Sequence, residues 1–124
     1  MKNMNLASWF EIPTQNLSRA QKFYESVFNI KLQPPQEPNG HMAIFPGDHE
    51  HAGAMGALVT SEIAAPSQQG TVVYLSCPDL NKTLQRVEEN GGQVLLPRTD
   101  IGEDGYFAHF RDTEGNRVGL YSMQ

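Results

Sequence analysis

The chain repeats itself. "WFEIPTQNLSRAQKFYES", beginning at Trp9, aligns without a gap on "VVYLSCPDLNKTLQRVEE", beginning at Val72, 63 positions later. Each copy opens with a short apolar, β-rich run, residues 9–12 and 72–75. A turn follows, then an N-cap residue (Asn16 or Asp79), a leucine and a helix. In the first helix Ala20, Phe23, Tyr24, Val27 and Phe28 recur at threes and fours and make one buried stripe. In the second, Thr83, Leu84 and Val87 do so more weakly, and "NGG" at 90–92 ends the helix through glycine's tolerance of positive φ. A strand follows each helix ("IKLQP" and "QVLLP"). Each half then closes on a hairpin, "MAIFPGDHEHAGAMGALVT" in the first and "YFAHFRDTEGNRVGLYS" in the second. Four element types in the same order at matched spacing point to an α+β fold of two βαβββ modules, residues 6–60 and 70–123 of a single domain spanning 1–124. Neither module can bury both faces of its own sheet. The expected arrangement is therefore a pseudo-twofold pair forming a curved mixed sheet around a central cavity. "SEIAAPSQQG" has the composition of a surface connection between modules.

Bulk properties narrow the partners. Nine Lys and Arg against fourteen Asp and Glu give a net charge of −5, with no basic run, so nucleic acid and anionic membrane are poor partners. Cys77 is the only cysteine, which precludes an internal disulfide, and "MKNMNLASWF" lacks the apolar core of a secretory signal. A cytoplasmic protein is expected.

With the repeat in view, "EIPTQNLSRAQKFYESVFNIKL" resembles the opening of the vicinal oxygen chelate superfamily, which includes glyoxalase I, extradiol dioxygenases and bleomycin-resistance proteins. "FRDTEGNRVGLYS" resembles its closing hairpin. The resemblance implies one divalent ion held by a His, Gln or Glu on the first strand of each half and a carboxylate on the last strand of each hairpin. Carried onto this chain, those positions fall on Trp9 and Val72, and on Gly119 and either Gly56 or Ala57. None offers a side-chain lone pair to a cation, whereas a divalent site needs nitrogen, oxygen or sulfur donors. The expectation is no metal and no other cofactor, with a cavity kept for a small, largely apolar or cationic organic molecule.

Side chains at i and i+2 share one face of a strand, so Glu11 goes with Trp9, while Phe10 and Ile12 turn toward the helix. Glu11 has three readings: a catalytic acid or base, an anchor for a ligand, or a structural carboxylate paired with a cation such as Arg98. Tyr74 falls on Glu11 in the repeat and is expected to meet it across the pseudo-twofold. Trp9, Tyr74, Phe107 and Tyr121 form a candidate stacking surface, with His109 beside them. Trp9, Glu11, Tyr74, His109 and Tyr121 are the ligand-binding set, and Glu11 is the catalytic candidate. His49 and His51, in "GDHEHAG", read as a solvated loop tip, and Cys77 as a small buried residue. In "DTEGN" Asp112 caps a turn, and Gly115 and Asn116 supply its left-handed positions. The expected function is small-molecule binding of the glyoxalase/bleomycin-resistance type without the metal site. The alternative is a glyoxalase-like lyase or isomerase, or a dioxygenase. It would use Glu11 as acid/base, or a metal at other ligands such as His41, His109 and Glu11. The resemblance also implies a homodimer.

Overall fold

The computed structural model describes residues 5–34 and 41–124. In chain order the first half contributes β1 (Trp9–Pro13), α1 (Leu17–Phe28), β2 (Met42–Ile44) and β3 (Met55–Val59). The second contributes β4 (Tyr74–Ser76), α2 (Leu80–Glu89), β5 (Gln93–Asp100), β6 (Tyr106–Arg111) and β7 (Arg117–Ser122), with one 3-10 turn at Gly102–Asp104. Two mixed sheets result, ordered β1-β3-β2 and β4-β7-β6-β5.

The repeat extends to individual bonds. Asn16 caps α1 by accepting the Arg19 N–H, and Asp79 caps α2 by accepting the Lys82 N–H. Thr14 N–H donates to Val59 and Cys77 N–H to Tyr121, so donors 63 apart close the parallel ladder of each half. Glu11 lies beside Ala57 as Tyr74 lies beside Gly119. That register resolves which first-half residue matches Gly119: it is Ala57. Three expectations shift. β4 begins at Tyr74 rather than 72, and β5 runs on to Asp100. "IKLQP" forms only the bridge Gln33–Ile44 within the described residues.

One core runs through both halves. Ile12, Ala43 and Leu58 pack under Ala20, Tyr24 and Val27 of α1, and Ala108, Phe110, Val118 and Leu120 join the same cluster with Leu80, Leu84 and Val87 of α2. Each strand alternates, so this helix side is apolar and the opposite face of each sheet carries Trp9 and Glu11, or Tyr74 and His109. No helix among the described residues is long and apolar enough to cross a membrane.

The halves are tied by the β6–β7 turn. Asp112 is buried, and its Oδ1 accepts the N–H groups of Glu114, Gly115 and Asn116, while its Oδ2 accepts the Tyr24 hydroxyl and the Asn116 amide. Glu114 reaches into the first half, where it accepts the N–H of Gln15 and Asn16 at 2.9 and 2.8 Å and a two-point contact from Arg19. Burial raises the Glu114 carboxyl, but the Arg19 guanidinium and those N–H donors outweigh it and hold it below its ordinary value. A carboxylate at the start of α1 also meets the positive end of the helix dipole. Gly115 takes the left-handed position, with φ of 104°; Asn116 does not, and is held instead by its side-chain bond to the Pro13 carbonyl.

Candidate functional site

The opening strand of the first half places Trp9 and Glu11 on the open face, as alternation requires. The indole N–H donates to Glu11 at 3.1 Å, and Trp9 remains 43% exposed. Glu11 therefore meets neither of its expected partners: Tyr74 bonds elsewhere, and Arg98 sits over the Tyr106 ring at 3.6 Å. The repeat makes Glu11 and Tyr74 equivalent, but contact is decided by the register within each sheet.

In the second half that register builds a different cluster. His109 stands opposite Gly119 in the β6–β7 hairpin, and Tyr74 stands beside Gly119 on the other side. A Cβ placed on Gly119 would lie 2.4 Å from the Tyr74 ring, so the ring occupies the space a side chain at 119 would need. Tyr74 Oη and His109 Nε2 are 2.6 Å apart, and Arg117 Nη1 and His109 Nδ1 are 2.8 Å apart. Phe107 completes the group, 6.4 Å from Tyr74 and 5.9 Å from His109 between ring centroids.

The direction of this chain follows from its end member. A guanidinium only donates, so His109 Nδ1 must accept. A neutral imidazole then carries its proton on Nε2 and donates it to Tyr74, which leaves the phenolic proton free to point out of the sheet. Burial, with the Arg117 charge added, keeps His109 below its ordinary pKa and so neutral. Tyr121 differs: its hydroxyl donates to the Asp104 carbonyl, with Met123 sulfur also near, and is turned back onto its own chain.

The implied metal fits these residues poorly. Trp9 presents an N–H donor, the position of Val72 an alkyl group, Ala57 a methyl group, and the place of the fourth ligand is under the Tyr74 ring. Among the described residues no three of His, Cys, Asp and Glu lie close enough to hold an ion. His41, whose carbonyl accepts the Thr60 N–H at the start of β2, does not converge with Glu11 and His109. His51 pairs with Asp48 at 2.7 Å in water at the loop tip, which raises the imidazole and lowers the carboxyl. Cys77 is buried, and that burial raises its thiol. Arg117 was missed in the sequence, although the signal was there: it shares Gly119's face by alternation and lies two hairpin rungs from His109.

The sequence model of the Glyoxalase/Bleomycin resistance protein/Dioxygenase superfamily matches residues 7–120. The chain is 33% identical over 113 residues to the "Glyoxylase-like domain-containing protein" of Didymella fabae, covering 88% of this chain and 87% of that protein. It is 29% identical over 120 residues to "Putative glyoxylase CFP32" of Mycobacterium tuberculosis, covering 92% of this chain but 44% of that protein, so it spans less than half the length of this relative. Among solved structures, a glyoxalase/bleomycin resistance protein from Albidiferax ferrireducens superposes with a TM-score of 0.72 at 16% identity, over 95% of this chain and 98% of that one. TnmS3, an antibiotic binding protein from Streptomyces sp. CB03234, superposes with a TM-score of 0.70 at 22% identity, over 98% of each chain. At these identities the likeness is one of fold.

Proposed function

Because the chain belongs to the glyoxalase/bleomycin resistance protein/dioxygenase superfamily, we propose that it binds a small organic molecule on its open sheet faces without the family's metal. The observation that carries this reading is Tyr74 lying over Gly119 with His109 and Arg117 lined up behind it. A position suited to a ligating carboxylate has become a hydrogen-bond donor aimed outward. The fitting ligand is a flat molecule with a carbonyl, quinone or phenolate oxygen, which accepts from Tyr74 while its rings lie against Phe107. The nearby Arg117 and His109 make a cationic ligand a worse fit here than the sequence implied. Glu11, already engaged by the Trp9 indole, serves as an anchor on the first sheet rather than as an acid or base. A fold neighbour described as an antibiotic binding protein is consistent with such a role.

The protein acts as one domain of two modules, residues 6–60 and 70–123, in the cytoplasm. It pairs with a second copy, and its charge of −5 leaves nucleic acid out of its partners. Sedimentation of the untagged protein should therefore give twice the chain mass.

Two-dimensional NMR against a panel of planar phenols, quinones and aromatic ketones tests the reading. Binders should shift the His109 and Gly119 amides, and Tyr74→Phe should weaken them about tenfold, the worth of one good hydrogen bond. A panel that leaves both sheet faces unperturbed, or binds Tyr74→Phe equally well, removes the proposal.

A further inference from the structure

The internal repeat sets up a second comparison, on the helix side of the sheets. Where the second half meets α1, the space is filled: Phe23 packs on Phe110 at 6.0 Å, Val118 lies in the core, and the turn at 112–116 closes over the start of the helix. The corresponding place in the first half, under the loop at 46–54 and against α2, is a cavity of about 520 Å³. Phe10, Phe28, Ile30 and Phe45 line one wall, and Cys77 and Arg86 stand on the other. The sequence explains the opening. Arg86 lies 63 positions after Phe23, so a half-buried guanidinium replaces a packed ring. Hairpin register puts Gly56 where Val118 stands, and the missing side chain lets the Phe10 ring lie on the strand, its atoms 2.4 Å from where a Cβ would be.

From this geometry we infer that the cavity is a second small-molecule site, distinct from the sheet-face site, that takes an aromatic or other compact apolar acid. Its volume lies within the range of ligand pockets. The rings of Phe10 and Phe45, 5.6 Å apart and tilted by 39°, offer faces and edges to a flat apolar body. Arg86 supplies the anion partner: among the described residues no carboxylate lies within ion-pairing distance of it. Asp48, the acidic group in the cavity's lining, is already bonded to His51 at 2.7 Å and so offsets little of the Arg86 charge. A guanidinium at the edge of an apolar hollow recognises a carboxylate by two parallel hydrogen bonds.

The probe is 2-naphthoate, compared with its neutral counterpart 2-naphthalenemethanol, by titration calorimetry on the full chain. Naphthoate should bind more tightly than the alcohol, and Arg86→Gln should weaken naphthoate about tenfold while leaving the alcohol unchanged. Cys77, the only thiol and a wall residue, gives an independent reading: saturating naphthoate should slow its alkylation by N-ethylmaleimide. Tyr74→Phe should leave naphthoate binding unaltered, which separates this site from the sheet-face one. Equal affinity for acid and alcohol, indifference to Arg86→Gln, unprotected Cys77, or loss of binding in Tyr74→Phe would each overturn the inference.

Discussion

Between Phe110 and Arg117 the chain reverses in a turn that buries the polar side chains of Asp112, Glu114 and Asn116. Between Phe45 and Met55 it reverses in a longer loop whose polar side chains, Asp48, His49, Glu50 and His51, stand in water. The first turn satisfies its buried carboxylates with N–H groups and locks one module to the other; the second bonds mainly to itself. Burial with full hydrogen bonding gives rigidity, and the exposed loop leaves a hollow beneath it. One half of the repeat has been used to hold the molecule together, and the other to leave room.

The largest test of that contrast is removal of the caps. Asp112→Ala strips five hydrogen bonds from buried or half-buried donors and should cost about 3 kcal/mol or more in denaturant unfolding. Asp48→Ala at the other loop should leave the unfolding midpoint in place. Equal losses would erase the distinction between the two turns.

Glu114→Gln should come next, at about 2 kcal/mol, because it keeps the shape and removes the charge that Arg19 and the helix start engage. Its pH dependence has a fixed sign. A carboxyl whose folded pKa is lowered stabilises fully above its ordinary value of 4.5, and that contribution fades as pH falls through the folded value. Wild type and Glu114→Gln should accordingly differ at pH 7 and converge in acid.

The two glycine–aromatic contacts sharpen the comparison on opposite sides of the sheets. Gly119→Ala and Gly56→Ala each bring a Cβ to 2.4 Å from a ring, Tyr74 in one case and Phe10 in the other. Each should cost about 1–3 kcal/mol by overpacking. Gly119→Ala should impair binding on the sheet face alone, and Gly56→Ala binding in the helix-side cavity alone.

Smallest in stability is the effect at His109. Burial disfavours the charged ring and protonation would make Nδ1 a donor facing the Arg117 charge, so the imidazole is held neutral and its pKa lies below the ordinary 6.5. The stabilisation is complete above 6.5 and is lost as pH falls through the folded value. Affinity for a Tyr74-dependent ligand should decline over the same range, and histidine ring NMR should find the proton on Nε2 at pH 7.

What was legible in the sequence follows from the range of each interaction. Helix caps at Asn16 and Asp79, the apolar stripe of α1 and the alternation of β1 are local, and the repeat doubled each signal. Trp9 and Glu11 share a face because strand geometry demands it. The hidden features are those joining distant segments. Nothing near Glu114 announces that Gln15, Asn16 and Arg19 will surround it, so "DTEGN" reads only as a turn capped by Asp112. Tyr74 was matched to Glu11 because the repeat makes them equivalent, but equivalence sets them on separate sheets, whereas hairpin register puts His109 within reach. The helix-side cavity was invisible for a related reason: Arg86 and Gly56 look ordinary until each is compared with the side chain that fills the corresponding place.

The central claim is that the place of the superfamily's ion has been taken by Tyr74, His109 and Arg117. Its most direct test is the metal content of untagged protein, measured by mass spectrometry for zinc, nickel, iron and manganese after dialysis against each. The account predicts no stoichiometric metal that depends on these faces. One ion per chain that survives dialysis, and is lost in His109→Ala or Glu11→Gln, would contradict it.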